Sequence, residues 1–320
     1  MSTILLAFKE GELSAEHLAQ IQTLVPDKRL LVTQDRAEIE AVLDDIEISV
    51  CSFPTDLLSQ APNLRWHQAW GAGVDWVLRY PELVEADLII TNASGVHAIP
   101  ISEHIMAFLL AFARNIPDQV HNQAHGKWRS PRHNSIFELA GKKMLLIGVG
   151  AIGAHTAPMA AAFGITVTGI RRNPEKSIPG IAAMYGPERL HECLPNADFV
   201  VLTVPLTDET KGMISEAELR LMKPNAYIIN IGRGGTIQQN VMIRALQEGW
   251  IAGAGLDVTD PEPLPESSPL WSMENVIITA HYSGRTPNYT ERALAIFLDN
   301  LERYVAGKPL VNVVDKRLGY

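Results

Sequence analysis

Residues 142–172 read K-K-M-L-L-I-G-V-G-A-I-G-A-H-T-A-P-M-A-A-A-F-G-I-T-V-T-G-I-R-R, and no other stretch constrains the fold as tightly. The apolar run Met144, Leu145, Leu146, Ile147 has strand length and passes straight into G-x-G-x-x-G at Gly148, Gly150 and Gly153. An Ala-rich stretch and a second β-branched run at 165–170 follow. That is the grammar of a strand, a tight turn, a helix and a second strand. In such a unit the first glycine permits the turn and the second lets the backbone approach a pyrophosphate. The third lets helix and strand pack closely. The helix N-terminus adds free N–H groups and the positive end of a dipole. A dinucleotide site is expected here. The second strand lacks the acid that would hydrogen-bond an NAD ribose and ends on Arg171 and Arg172, which suit a ribose 2′-phosphate. The expected cofactor is NADP(H), with NAD(H) as the second possibility.

The same segment poses a trap. Residues 144–170 contain no Asp, Glu, Lys or Arg, long enough on a simple count to span a bilayer. Five glycines, His155 and Pro158 interrupt the run, and the strand–helix–strand grammar explains it without a membrane. The N-terminus lacks a basic region before a long apolar core, so it reads as a first strand rather than a signal peptide. A formal charge of −9 and the lack of dense Lys/Arg runs argue against a nucleic-acid surface. Cys51 and Cys193 stand far apart without a C-x-x-C, which argues against a disulfide scaffold and suits a reducing, cytoplasmic compartment.

A chain of 320 residues with 47% apolar side chains is expected to form two domains with full cores. Strands are expected at 4–8, 29–32, 48–51, 64–68 and 88–91, with helices at 15–24 and 36–43 between them. A long helix is expected from near Pro100 to about Arg114, then a polar loop at 121–135. Beyond 142, strands are expected at 199–203, 227–230, 253–257 and 276–279, with helices at 216–222 and 239–248. Leu294, Phe297, Leu298, Leu301 and Tyr304 recur at helical spacing in an amphipathic helix over 288–306. Alternating strands and helices mean parallel sheets covered on both faces. The expected fold is α/β with two doubly wound domains. One is a flavodoxin-like substrate domain, 1–97 with 288–320, and the other a Rossmann dinucleotide-binding domain, 98–287.

Three polar residues stand near strand ends in the second set, where open α/β sheets bind ligands. Arg233 lies in I-N-I-G-R-G-G, Glu262 in D-V-T-D-P-E-P-L-P just beyond Asp257, and His281 after N-V-I-I-T-A. Singly, each has a plainer reading: an ion-pair or surface arginine, a solvated turn glutamate, a capping or packing histidine. Together, beside a dinucleotide, they form a set for hydride transfer. The guanidinium fork can hold a 2-oxo carboxylate and polarise its carbonyl. The imidazole can give or take the proton at that oxygen, and a carboxylate partner favours its acid form. The nicotinamide supplies the hydride.

These segments make the chain resemble the D-isomer-specific 2-hydroxyacid dehydrogenase family over nearly all its length. The resemblance is carried by G-A-G-V-D at 71–75, N-A-S-G-V-H-A-I-P-I-S-E-H at 92–104 and E-L-A-G-K-K at 138–143. It continues in V-P-L-T-D-E-T-K-G at 204–212, G-L-D-V-T-D-P-E-P-L-P at 255–265 and T-A-H-Y-S-G at 279–284. It implies that Arg233 binds the substrate, that His281 is the acid/base and that Glu262 orients and charges it. It implies that Ala72, Gly73 and Val74 offer N–H groups to the carboxylate and that Asp257 meets the nicotinamide carboxamide. Ala151 and Ile152 would lie at the pyrophosphate, and Pro205 and Thr210 near the adenosine half. Ile231, Gly232, Ser283 and Gly284 would complete the cofactor-binding set with Gly148, Gly150, Gly153, Arg171 and Arg172. The resemblance further implies domain closure about hinges near 95–100 and 284–290, bringing Gly73 toward Arg233. It also implies a homodimer that uses the helix after Pro100 and the polar loop beyond it.

The departures from the family pattern are local. Ala280 stands where a proline commonly precedes the catalytic histidine, and Gln238-Gln239 where an acidic pair is common. Neither removes chemistry. His97 and His104 read as structural or hinge residues, and His121, His125 and His133 do not match a zinc pattern, so no metal is expected. Trp66, Trp70 and Trp76 read as core, with Trp70 or Trp76 also able to wall the substrate pocket. The expectation is an NADP-preferring dehydrogenase of a small 2-oxo acid or D-2-hydroxy acid, with neither nucleic acid nor membrane as partner. A narrow glyoxylate/hydroxypyruvate reductase and a non-catalytic, corepressor-like dinucleotide sensor are the alternatives.

Overall fold

The computed structural model describes residues 2–132 and 135–319. His133 lies outside the described residues. The chain forms two compact units: one runs to Val96 and resumes at Thr286, the other is His97–Arg285.

The first unit holds five parallel strands, β1 (Thr3–Ala7), β2 (Arg29–Val32), β3 (Ile46–Cys51), β4 (Trp66–Gln68) and β5 (Ile89–Thr91), in the order β2-β1-β3-β4-β5. This is the flavodoxin-like order. Strand periodicity sorts the core onto two faces. Leu5, Ala7 and Ile46 join the cluster with Leu57, Leu83 and Ile90, whereas Ile4, Leu6, Ile48, Val50 and Trp66 point the other way. There they meet Leu294, Phe297 and Leu301 of the helix Tyr289–Val305, the spacing noted in the sequence. The helix Ala15–Leu24 starts where Ser14 accepts the N–H of His17 and the His17 ring accepts that of Ser14, a reciprocal cap.

One group inside this unit sets a pH response. His67 on β4 is buried, bonded through Nδ1 to Ser49 Oγ at 2.8 Å, and burial pushes its pKa down to about 4. The unfolded chain therefore takes up a proton in a range where the folded chain does not. This histidine leaves stability intact above about pH 6.5 and withdraws it as pH falls toward 4. Between pH 6.5 and 5 the expected loss is roughly 1–2 kcal/mol, since the slope reaches ~1.36 kcal/mol per unit only once the unfolded histidine is fully protonated. Urea unfolding of the native chain and of His67→Asn at both pH values checks this: the variant should lack that part of the slope.

The second unit holds seven parallel strands: β6 (Lys143–Ile147), β7 (Thr166–Ile170), β8 (Ile181–Tyr185), β9 (Phe199–Leu202), β10 (Tyr227–Asn230), β11 (Gly253–Leu256) and β12 (Val276–Ile278). Their order is β12-β11-β10-β9-β6-β7-β8, the doubly wound order that reverses between β9 and β6. Leu145, Ile147, Val200, Leu202 and Ile228 face one layer of helices. Met144, Leu146, Phe199, Val201 and Ile229 face the helix Ala98–Ala113 through Ile105, Phe108 and Leu109.

Two local expectations need correction. A short helix, Ile116–Ala124, stands where the polar loop was expected to include His121, and β8 is a strand that the sequence patterning did not suggest. The uncharged run resolves into β6, the helix Ala151–Ala162 and β7. Among the described residues no helix is long and apolar enough to cross a membrane.

Candidate active site

Parallel register carries one row of residues across the second sheet: Tyr185, Ile170, Ile147, Leu202, Asn230, Leu256 and Ile278 are successive partners. Everything just after that row lies at one carboxyl edge, where doubly wound sheets bind ligands. Gly148, Arg171, Thr203, Ile231, Asp257 and Thr279 are those next residues.

The Gly148 turn needs a glycine twice over. Its φ is +93°, and a Cβ there would sit 2.5 Å from Val204 Cγ1. Gly150 caps the helix Ala151–Ala162 without any side-chain hydrogen bond, and a Cβ placed on it would meet nothing within 4 Å. The N–H groups of Ala151 and Ile152 thus open the helix onto unfilled space at its positive end, a cradle that fits a pyrophosphate. Gly153 is buried against Gly148 and Val149.

Arg171 is half-buried at the end of β7, its N–H bonded to the Tyr185 carbonyl. Arg172 is exposed and makes an ion pair with Glu209, Nη2 to Oε2 at 3.0 Å. Thr210, next to Glu209, donates its hydroxyl to the Pro205 carbonyl at 2.6 Å, so those two residues share one turn after β9.

Arg233 follows β10 in extended conformation, its Nη1 bonded to the Gly232 carbonyl at 2.9 Å. Asn230, 1% exposed, shapes this loop from beneath. Its amide donates to the Arg233 carbonyl and its oxygen accepts the Gly232 N–H, while Thr236 Oγ1 donates to the same Arg233 carbonyl. A Cβ at Gly234 would collide with the Thr259 carbonyl, so the loops after β10 and β11 lie hard against each other.

His281 stands in the left-handed region at φ +49°, held by N–H bonds to the carbonyls of Asp257 and Thr279. Its Nδ1 lies 2.8 Å from Glu262 Oε2, and Glu262 Oε1 accepts the Thr259 N–H, which fixes the carboxylate. With Nδ1 carrying the proton toward Glu262, Nε2 is an acceptor in the neutral ring and a donor in the charged one. No described residue bonds Nε2, and half of the His281 side chain is exposed. One nitrogen is committed and the other is available.

Asp257 is 1% exposed and braces this loop. Its carboxylate accepts Thr279 Oγ1 at 2.6 Å and the N–H groups of Tyr282 and Ser283, both at 3.1 Å. Since the Thr279 proton goes to Asp257, the hydroxyl accepts from His104 Nε2 at 3.0 Å. Burial pushes the His104 pKa below its ordinary value, with Asp257 opposing, which suits this neutral donor. Gly284 is tied through its carbonyl to His97 Nδ1 at 3.0 Å. Asn230 and Thr279 are the members that sequence reasoning passed over, whereas His104, read there as a structural or hinge residue, stands here as a support of the Thr279 hydroxyl. Asn230, a lone amide ending the buried run Y-I-I-N, was the one visible signal.

In the first unit, the loop 71–74 follows β4. Asn92 donates to the Ala72 carbonyl at 2.8 Å and the Ala93 N–H donates to the Gly71 carbonyl, pinning the loop from the segment after β5. Val74 is buried and Gly73 exposed. Among the described residues no acceptor meets the N–H groups of Ala72, Gly73 or Val74. Trp66 is core, stacked on Tyr304, whereas Trp70 and Trp76 border a cavity beside this loop. His121 and His125 pack on each other at 4.3 Å, and among the described residues no three His, Cys, Asp or Glu side chains group as a metal set.

The chain is similar to known proteins over most of its length. Residues 106–283 match the family model described as "D-isomer specific 2-hydroxyacid dehydrogenase, NAD binding domain". A glyoxylate reductase of Korarchaeum cryptofilum is 33% identical over 289 residues, 88% of this chain and 86% of that protein. A D-isomer specific 2-hydroxyacid dehydrogenase of Xanthobacter autotrophicus, solved with NADPH and MES, superposes with a TM-score of 0.85 at 29% identity, covering 100% of both chains. An NADPH-dependent glyoxylate/hydroxypyruvate reductase of Sinorhizobium meliloti, solved with NADP and sulfate, gives 0.82 at 28% identity, again covering 100% of both chains.

Proposed function

Because the chain belongs to the D-isomer specific 2-hydroxyacid dehydrogenases, we propose that it reduces a small 2-oxo acid to the D-2-hydroxy acid with NADPH as the preferred hydride donor. It is an oxidoreductase of that class. The observation that carries the reading is the Glu262–His281 pair, 2.8 Å apart, at the same sheet edge as Arg233 and the Gly148 turn. Bound nicotinamide would supply the hydride. The residues of the chain do the rest. Arg233 takes the carboxylate and polarises the carbonyl. His281 Nε2 delivers the proton to the carbonyl oxygen as charge develops there, and Glu262 holds the ring in the tautomer that leaves Nε2 facing away from it. The N–H groups of the loop 71–74 serve the substrate carboxylate, and Asp257 keeps the loop that carries His281 in place.

The cofactor would be held at the Gly148 turn, with the pyrophosphate on the N–H groups of Ala151 and Ile152. Pro205 and Thr210 would serve the adenosine half, and Ile231, Gly232, Ser283 and Gly284 the nicotinamide half. Preference for NADPH rests on Arg171 and Arg172. The Arg172–Glu209 pair is exposed on both sides and therefore weak, so a 2′-phosphate can take its place. Arg171→Asp is expected to move the ratio of kcat/KM from NADPH toward NADH by ~10-fold or more, the scale of one charged hydrogen bond. An unmoved ratio would place Arg171 against solvent. NADH remains usable by the native chain.

A second copy of the chain is the expected partner, placed against the segment 116–128. Ile116 and Val120 are exposed there, and the Trp128 side chain is fully in solvent. A native mass of twice 35.2 kDa would agree, and a protomer at micromolar concentration would not. Loss of NADPH absorbance with glyoxylate, hydroxypyruvate and pyruvate tests the reaction itself. No consumption with any of them, together with retained nucleotide binding, would leave a non-catalytic dinucleotide sensor.

A further inference from the structure

The first unit contains a cavity of about 370 Å³ beside the loop 71–74, bordered by Gly71, Gly73, Trp76, Tyr80, Thr55 and Arg79. Its walls combine an aromatic run with hydroxyls. His67 meets Trp76 edge-on at 6.2 Å, Trp76 meets Tyr80 at 6.5 Å, and Thr55 Oγ1 donates to the Tyr80 hydroxyl at 3.3 Å. Of the described residues that border it, Arg79 alone carries charge, since His67 is neutral with a pKa of about 4 and no Asp, Glu or Lys is present. No described carboxylate pairs with the Arg79 guanidinium. Arg79 ends the short 3₁₀ helix Asp75–Arg79 that leaves the loop directly, and it borders the same cavity as Gly73. The cavity also lies within the usual range for a small-molecule site, roughly 300–1,000 Å³, which a two-carbon acid would leave largely empty.

We propose that this cavity receives the far end of the substrate and that this end is anionic: a 2-oxo acid bearing a second carboxylate or a phosphate, gripped by Arg79 with Tyr80 and Thr55 as neutral partners. A guanidinium fork matches either oxyanion. The aromatic walls offer apolar contact to a short chain between the two anionic ends. The proposal rests on reading the loop 71–74 as the seat of the 2-oxo carboxylate, and it assigns the substrate class within that reading.

The test compares substrates of equal chain length. With the full-length chain, kcat/KM for 2-oxoglutarate is measured against 2-oxopentanoate, and for phosphohydroxypyruvate against hydroxypyruvate. At least one anionic member should be favoured by ~10-fold or more, and the pair that shows the effect tells carboxylate from phosphate. Arg79→Met should collapse that ratio toward one and Arg79→Lys should restore part of it. A ratio near one in the native chain, or an unchanged ratio in Arg79→Met, overturns the proposal even where glyoxylate is turned over. Calorimetric titration of the same two anionic compounds into the native chain and Arg79→Met separates the inference from the reaction. Binding that Arg79→Met loses supports the cavity assignment although no 2-oxo acid is reduced. Equal binding, or none to either protein, refutes it.

Discussion

Replacing His281 with alanine is expected to slow turnover by ~10²–10⁴-fold, the usual worth of a positioned acid/base, while the Kd for NADPH stays unchanged. The separation follows from the geometry. The ring's Nδ1 is committed to Glu262 at 2.8 Å, and the loop beneath it is held by backbone bonds and by Asp257 rather than by the imidazole. Removing the ring therefore takes away the proton donor and leaves the sheet edge in place. Glu262→Gln should fall between the native chain and His281→Ala, because an amide oxygen can still accept from Nδ1 but no longer offsets a charged ring. Turnover in His281→Ala comparable to that of the native chain would remove His281 from its assigned role.

Arg233→Ala is expected to raise KM for the 2-oxo acid and lower kcat together, by ~10–100-fold in kcat/KM for the lost charged hydrogen bonds alone. The larger part should appear in KM if the guanidinium mainly holds the carboxylate, and in kcat if it mainly polarises the carbonyl. Arg233→Lys keeps the charge but loses the planar fork, so it should recover binding more than rate. The Arg233 carbonyl is bound by Asn230 and Thr236, and neither variant removes those two contacts. An unchanged KM in Arg233→Ala would contradict the carboxylate contact.

What the sequence disclosed follows from which interactions are local. Strands such as 29–32 and 227–230 and the helix 15–24 end where apolar patterning and caps place them, because those signals sit within a few residues. The doubly wound architecture was legible from the alternation of such elements. β8 was not, since its five residues are half-exposed at the edge of the sheet and show no alternation of apolar and polar side chains. The helix Ile116–Ala124 escaped notice because it is short and mostly polar. At the candidate site, the charged residues at strand ends stood out, but their supports did not. His104 reaches Thr279 across 175 residues of chain and Arg172 reaches Glu209 across 37, and no local pattern encodes such pairings. The cavity at Arg79 is hidden for the same reason: Thr55, His67 and Tyr80 meet only once β3 and β4 lie side by side.

Hydride transfer from nicotinamide to the carbon of a 2-oxo acid is the central step of the proposed reaction, and isotope transfer tests it most directly. Incubation of the chain with NADPH deuterated at the transferable nicotinamide position and with hydroxypyruvate or glyoxylate, followed by mass analysis of the product, reads the origin of the new C–H bond. The expected product is the 2-hydroxy acid carrying deuterium at C2. Unlabelled product, or no product while the nucleotide binds, would contradict it.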